Sequence, residues 1–188
     1  NYGGETSQLL LAAALRFWNF SFVPLWGISQ GFQPAAGTNY GAKDYDRVKT
    51  LTRVFIIAAT LLSLVFYIPA ELFPEKILSM FLTTPGIAAS GATNFRIMFS
   101  TYILQGSFLI AVTLFQSLGK ANKATWLVLF RQIILFIPLC VILPMIGGMG
   151  IRGVWLALAL TDAILVIITI SMMLYEFGKM PATSSVKR

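Results

Sequence analysis

Residues 24–43 read PLWGISQGFQPAAGTNYGAK and carry the chain out of its first long apolar run into a basic loop. That run covers residues 9–34, and the loop behind it holds Lys43, Arg47 and Lys49. A mainly apolar run of roughly 20 residues is long enough to cross the hydrocarbon of a bilayer as a helix. We therefore expect this stretch to contain the end of a transmembrane helix.

Four further apolar runs follow, and each is close to the length that a spanning helix needs. They cover residues 51–70, 97–118, 124–146 and 151–175. Between the second and the third run, residues 71–84, which contain the stretch 74–81, are too short and too amphipathic to span, which predicts a helix at the membrane interface. The sequence thus predicts an all-α, polytopic bundle of about five spans in residues 1–180, with a cytoplasmic tail in residues 181–188.

The composition agrees with a membrane protein and excludes several other classes. The chain is 57% hydrophobic and only 11% charged, and its mean hydropathy is +0.78, whereas a soluble domain carries about twice that charge. The net charge of +7 is spread over the gaps between apolar runs, so we do not expect a nucleic-acid partner. With one cysteine and no histidine, a disulfide framework or a Cys/His zinc site within the chain is excluded.

No arrangement of residues indicates catalysis. The sequence has no phosphate-binding Gly-Lys-Ser/Thr loop, no acid pair and no nucleophile–base pair. We therefore expect no enzyme activity, no catalytic residue, no metal site and no cofactor.

The basic residues predict the orientation of the spans. The segments after the first, third and fifth spans are richer in lysine and arginine than those on the opposite side, and the richer side is expected to be cytoplasmic. The chain would then start outside and end inside a cell membrane. It opens with Asn1 and lacks a signal sequence, so we expect an odd number of earlier spans in a longer parent protein.

Asp162 is the only acidic residue well inside a predicted span. An ionised carboxylate there is costly unless it faces protein or water. Asp162 could relay a proton or cation or contact a cationic substrate. Alternatively, it could join helices by bonding to Arg131 or to a nearby serine or threonine, which is the favoured interpretation.

Other polar residues in the spans are candidate cavity-lining groups. Arg16 and Asn19 share one face of the first span, where Arg16 could also anchor the outer end and Asn19 could bond another helix. Gln105 and Gln116 are eleven residues apart, about three turns, and should share a face of the third span, either along a water-filled path or in interhelical bonds. For Arg131 and Gln132, anchoring at the interface is the favoured interpretation.

The 24–43 stretch closely resembles the end of the second helix in each half of multidrug and toxic compound extrusion (MATE) transporters. The resemblance rests on a proline and a glycine followed by Gln-Gly-x-Gln-Pro and Asn-Tyr-Gly-Ala-Lys. Segments 115–120, 131–144 and 150–162 resemble helices ten to twelve of that family. The family-motif residues at the cytoplasmic end of the first span are Gln30, Gly31, Gln33, Pro34, Asn39 and Gly41.

This resemblance implies helices eight to twelve of a MATE-like fold, most of a C-terminal lobe. It further implies an antiporter that exports organic cations and amphipathic drugs in exchange for H⁺ or Na⁺. Its partners would be the bilayer, the drugs and an N-terminal lobe outside this chain. The helix-ten segment has no acidic residue, so the acid used there by some sodium-coupled members cannot be transferred, and coupling is expected in the N-terminal lobe.

Two alternatives remain. One is a related flippase of lipid-linked oligosaccharides, which would need a strongly basic cavity, whereas only Arg16 is placed for that role. The other is a truncated membrane fragment that folds but does not transport. Five spans of one lobe cannot enclose an alternating-access site, so we expect no transport by the isolated chain.

Overall fold

The computed structural model describes residues 4–82, 84 and 86–181. The described part is almost entirely helical and contains no strand. Five helices are long and apolar enough to cross a membrane, which confirms the predicted all-α bundle: Gly4–Gly41, Tyr45–Leu72, Ala88–Ser117, Ala121–Gly148 and Ile151–Lys179. The predicted tail, residues 181–188, lies outside the described residues except for Pro181.

The first two spans are continuous helices, α1 (Gly4–Gly41) and α2 (Tyr45–Leu72). A tight turn joins them, in which Lys43 has a positive φ of 59°. The side chain of Asp44 then accepts a hydrogen bond of 3.2 Å from the backbone N–H of Arg47, which caps the start of α2. Of the basic residues expected in the loop, only Lys43 lies in this turn, whereas Arg47 and Lys49 belong to the first turns of α2.

A short helix, α3 (Pro74–Phe81), follows α2 where the sequence predicts one. The third span consists of α4 (Ala88–Phe99) and α5 (Gln105–Ser117), with a 3₁₀ turn at Tyr102–Leu104 between them. Beside this turn, a Cβ atom added to Gly106 would lie 2.7 Å from the backbone carbon of Ala59. Glycine therefore lets α5 pack directly on the backbone of α2.

The fourth span changes its helical form along its length. It runs through α6 (Ala121–Leu129), a π-helical segment (Phe130–Phe136) and α7 (Ile137–Met145). A 3₁₀ turn at Ile146–Gly148, with positive φ at both glycines, leads to α8 (Ile151–Lys179). A Cβ atom at Gly153 would lie 2.5 Å from the backbone nitrogen of Pro144, so α8 starts in direct contact with α7.

The core lies between α1, α4, α5 and α8. Phe17, Phe95, Phe99 and Tyr102 form a chain of ring contacts with centroids 4.7–5.9 Å apart, and all four are buried. In contrast, few apolar residues of α2 and of residues 121–148 are buried, and most are partly or fully exposed. Exposed apolar surface of this kind suits contact with lipid or with further membrane helices.

Candidate functional site

Asp162 is buried in the middle of the fifth span. It lies eleven residues after Ile151, the first residue of α8, which places it about 17 Å along a helix that rises 1.5 Å per residue. Its side chain is 10% exposed. A carboxylate at this depth needs partners from the protein.

Two other spans supply those partners. Arg131 donates from Nε (3.1 Å) and Nη2 (2.9 Å) to Oδ1 of Asp162, and Gln105 donates from Nε2 to Oδ2 at 2.6 Å. Both carboxylate oxygens are thus bonded, and one side chain connects the third, fourth and fifth spans. The interhelical role of Asp162 expected from the sequence is present, with Arg131 as the ion-pair partner.

Arg131 belongs to the π-helical segment of the fourth span. The backbone N–H of Ile137 donates to the carbonyl of Gln132, five residues earlier, which is the π-helical pattern. Pro138 follows directly, and a proline cannot donate the backbone hydrogen bond that a regular helix would need there. Single turns of π-helix are rare and occur often at functional sites.

A pocket of about 270 Å³ lies beside the ion pair. Residues of α1, α4, the π-helical segment and α8 surround it, and they combine aromatic, aliphatic and polar side chains. The lining residues are Leu15, Trp18, Asn19, Met98, Arg131, Gln132, Phe136, Leu158 and Asp162. The pocket can therefore hold an apolar body and also offer it hydrogen-bonding groups.

The structure brings some of the candidate residues predicted from the sequence to the pocket and leaves others outside it. Asn19 and Asp162 line the pocket, and Gln105 contacts Asp162. Arg16 is exposed outside the lining, where its Nη1 lies 3.4 Å from the backbone carbonyl oxygen of Phe81. Gln116 is exposed near the end of α5, whereas Gln105 is buried at its start, so the two glutamines do not form one polar path.

The family-motif residues lie outside this pocket, in the last turns of α1. The backbone carbonyl of Gln33 accepts a hydrogen bond of 3.1 Å from Ser117 Oγ, and Asn39 Nδ2 donates to the carbonyl of Ala35 at 2.7 Å. Gln30, Gly31, Pro34 and Gly41 are exposed. Through the bond between Gln33 and Ser117, the motif contacts the end of α5. In the structure it therefore helps to join the first and third spans.

Two interpretations of Arg131 follow from the sequence: a bond to Asp162, or anchoring at the interface together with Gln132. Anchoring at the interface was the favoured interpretation, and for Arg131 it is wrong, because its guanidinium bonds to Asp162 inside the bundle. The bond to Asp162, which the cost of an unpaired acid inside a span predicts, is the interpretation that the structure supports. The aromatic walls, Trp18 and Phe136, carried no sequence signal that separates them from lipid-facing aromatics.

A second charged cluster holds the far end of the bundle together. Lys120 and Lys123 each donate to one carboxylate oxygen of Glu176. The glutamate side chain is 1% exposed, whereas the lysines are 34% and 37% exposed. The loop between α5 and α6 is therefore attached to the end of α8.

Comparisons with known proteins agree with this architecture. The family model MatE matches residues 10–142. Among curated proteins, no significant match is found.

Solved structures match nearly the whole chain. An outward-facing multidrug resistance MATE family transporter of the MOP superfamily superposes with a TM-score of 0.88 at 19% identity, over 95% of this chain and 40% of that one. A MOP superfamily transporter from Pyrococcus furiosus gives 0.87 at 19%, over 95% and 40%. The MATE multidrug transporter DinF-BH, solved as a complex, gives 0.76 at 37%, over 86% and 36%. The chain thus spans about 40% of the length of these transporters.

Proposed function

Since this chain belongs to the MatE family, we propose that it forms most of one lobe of a multi-pass, secondary-active multidrug antiporter. In this proposal the whole protein exports organic cations and other amphipathic drugs in exchange for H⁺ or Na⁺. The pocket beside Asp162 forms one wall of the substrate cavity. The chain starts outside and ends inside the cell membrane, as the distribution of basic residues predicts.

The observation that carries this proposal is the buried ion pair of Asp162 and Arg131 at the edge of a mixed aromatic and polar pocket. Charged groups at this depth in a membrane are costly and often mark transport pathways. Their cost falls here because each carboxylate oxygen has a donor. The pair can therefore persist in the folded protein beside a cavity.

The size of the pocket supports a shared substrate site. Its volume of about 270 Å³ is just below the range for drug-sized ligands, roughly 300–1,000 Å³. A second lobe facing this wall would enlarge the cavity. Rocking of two lobes around a fixed central site is how many transporters alternate access.

The flippase alternative finds less support. A pyrophosphate-linked substrate needs several uncompensated cations, whereas Arg131 is the only basic residue of the pocket lining and is offset by Asp162. Arg16, the residue on which that alternative depends, lies outside the lining.

The test is transport by the full-length protein that contains this chain, reconstituted in liposomes. A fluorescent organic cation should move against its own gradient when a proton or sodium gradient is imposed, and should only equilibrate without one. Movement that is the same with and without both ion gradients would contradict an antiporter. The isolated chain, reconstituted in the same way, should move no dye.

A further inference from the structure

The hydrogen-bonding capacity of Arg131 is only partly used. A guanidinium carries five N–H donors on three nitrogens. Nε and Nη2 donate to Asp162, whereas Nη1 donates to no other residue in the described part of the chain. The Arg131 side chain is also 24% exposed, compared with 10% for Asp162. The part of the ion pair that remains open to a ligand is therefore mainly the arginine.

Asp162, in contrast, has little left to offer a ligand. Arg131 occupies its Oδ1 and Gln105 occupies its Oδ2. Three donors already fill most of the roughly four lone-pair sites of the carboxylate, and Arg131 offsets its charge, so a cationic group entering the pocket would gain little from it. The resting pocket thus lacks a free carboxylate for a cation.

The other uncharged polar groups of the lining are amides, which can donate as well as accept hydrogen bonds. Asn19 and Gln132 each carry an amide NH₂ group and line the same pocket as Arg131. The apolar part of the lining includes Trp18 and Phe136, whose rings supply flat apolar surface. An aromatic ligand with an acceptor or anionic group at one end matches this combination.

We propose that Arg131 determines substrate specificity by receiving the acceptor end of amphipathic substrates, so that the pocket prefers aromatic zwitterions with a free carboxylate over the corresponding cationic esters. The guanidinium keeps its bonds to Asp162 and adds one from Nη1 to the substrate carboxylate. This inference rests on the proposed function, because it assumes that the pocket beside Asp162 receives substrate. Under this inference, the lobe recognises the acceptor end of the substrate rather than its cationic end.

The test compares two dyes that differ in one group: a rhodamine ethyl ester, which is a cation, and its free acid, which is a zwitterion. Fluorescence polarisation gives the dissociation constant of each for the full-length protein in detergent. We expect the free acid to bind about tenfold more tightly, as one additional hydrogen bond between charged groups would give. The ratio of the two constants, rather than either constant alone, is the quantity that reports on Arg131.

Three variants show where the preference originates. The double variant Arg131→Gln/Asp162→Asn removes both charges together and leaves no buried charge unpaired, so the ratio should fall towards one. Arg131→Lys keeps the ion pair but loses the second amino group of the guanidinium, so the ratio should also fall, which covers the case that the double variant does not fold. Arg152→Gln, at an exposed position at the start of α8, should keep the wild-type ratio.

Equal affinities in the wild type, or a ratio that the double variant retains, would overturn the inference. If the ester binds and is transported while the acid gains no advantage, the antiporter proposal stands and only the role of Arg131 fails. If the protein binds neither dye and transports neither, the proposed function fails and the inference fails with it.

Discussion

The amide nitrogen of Gln105 lies 2.6 Å from Oδ2 of Asp162, fifty-seven residues further along the chain. This bond is buried and joins the start of α5 to the middle of α8. It also occupies the carboxylate oxygen that Arg131 leaves free. Because of this bond, neither carboxylate oxygen of the acid beside the pocket lacks a donor.

Removal of this bond should destabilise the bundle. In Gln105→Leu, Oδ2 of Asp162 loses its donor, and an unsatisfied buried acceptor costs about 1–3 kcal/mol. The melting temperature of the purified protein in detergent should fall accordingly. Gln116→Leu makes the same chemical change at an exposed position of the same helix and should leave it nearly unchanged. An equal effect of both substitutions would show that the Gln105 bond adds nothing.

The charge of Asp162 should matter for export. Asp162→Asn keeps the size of the side chain but removes its charge, which leaves Arg131 without an ion-pair partner. In a pump-deleted host, the full-length variant should confer several-fold less drug resistance than the wild type at matched expression. Arg152→Gln, at the exposed start of the same helix, should reduce resistance less than Asp162→Asn does. Full resistance with Asp162→Asn would remove this residue from the site.

The attachment of the α5–α6 loop to α8 should depend on Glu176. In Glu176→Gln the two lysines lose the carboxylate that they share. The loss should be about 1–2 kcal/mol, below that of a fully buried pair, because each lysine is about a third exposed. Protease cleavage in the loop at residues 118–121 should become faster. Glu75→Gln, which neutralises an exposed acid, is the control, and equally fast cleavage in both variants would argue against the attachment.

Two glycines of α8 should respond in opposite directions to the same substitution. In Gly153→Ala the new methyl group would lie 2.5 Å from the backbone nitrogen of Pro144, and such overpacking costs about 1–3 kcal/mol. Gly178→Ala meets nothing within 4 Å, so it should leave stability unchanged or raise it by up to about 1 kcal/mol through helix propensity. Differential scanning fluorimetry of both variants measures the contrast, and a stable Gly153→Ala would refute the close packing of α7 and α8.

The bundle itself was accessible from the sequence because it depends on local properties. Each apolar run is long enough to span, and the short helix Pro74–Phe81 lies within the segment 71–84 for which it was predicted. The π-helical segment was not predicted, because hydropathy does not distinguish the i→i−4 hydrogen bonds of an α-helix from the i→i−5 hydrogen bonds of a π-helix. Pro138 marks an irregularity there but does not specify its form.

The candidate site was only partly predictable, because it depends on how the helices are arranged around one another. Asp162 was identified by its cost inside a membrane, which is a property of the residue alone. Gln105 is buried and Gln116 is exposed, although helical spacing places both on one face of the third span. Likewise, Asn19 faces the pocket and Arg16 lies outside it, although helical spacing places both on one face of α1. Spacing along a helix predicts which residues share a face, but it does not predict which other helix that face contacts.

The most direct measurement of the central claim is protection of a cysteine at Asn19 by substrate. In a cysteine-free background of the full-length protein, Asn19→Cys and Arg16→Cys are each labelled with a membrane-permeant maleimide, with and without a transported aromatic dye. Because Asn19 lines the pocket beside Asp162 and Arg16 does not, the dye should slow labelling at position 19 and leave position 16 unaffected. Labelling at position 19 that proceeds at the same rate with and without dye would contradict substrate binding in this pocket.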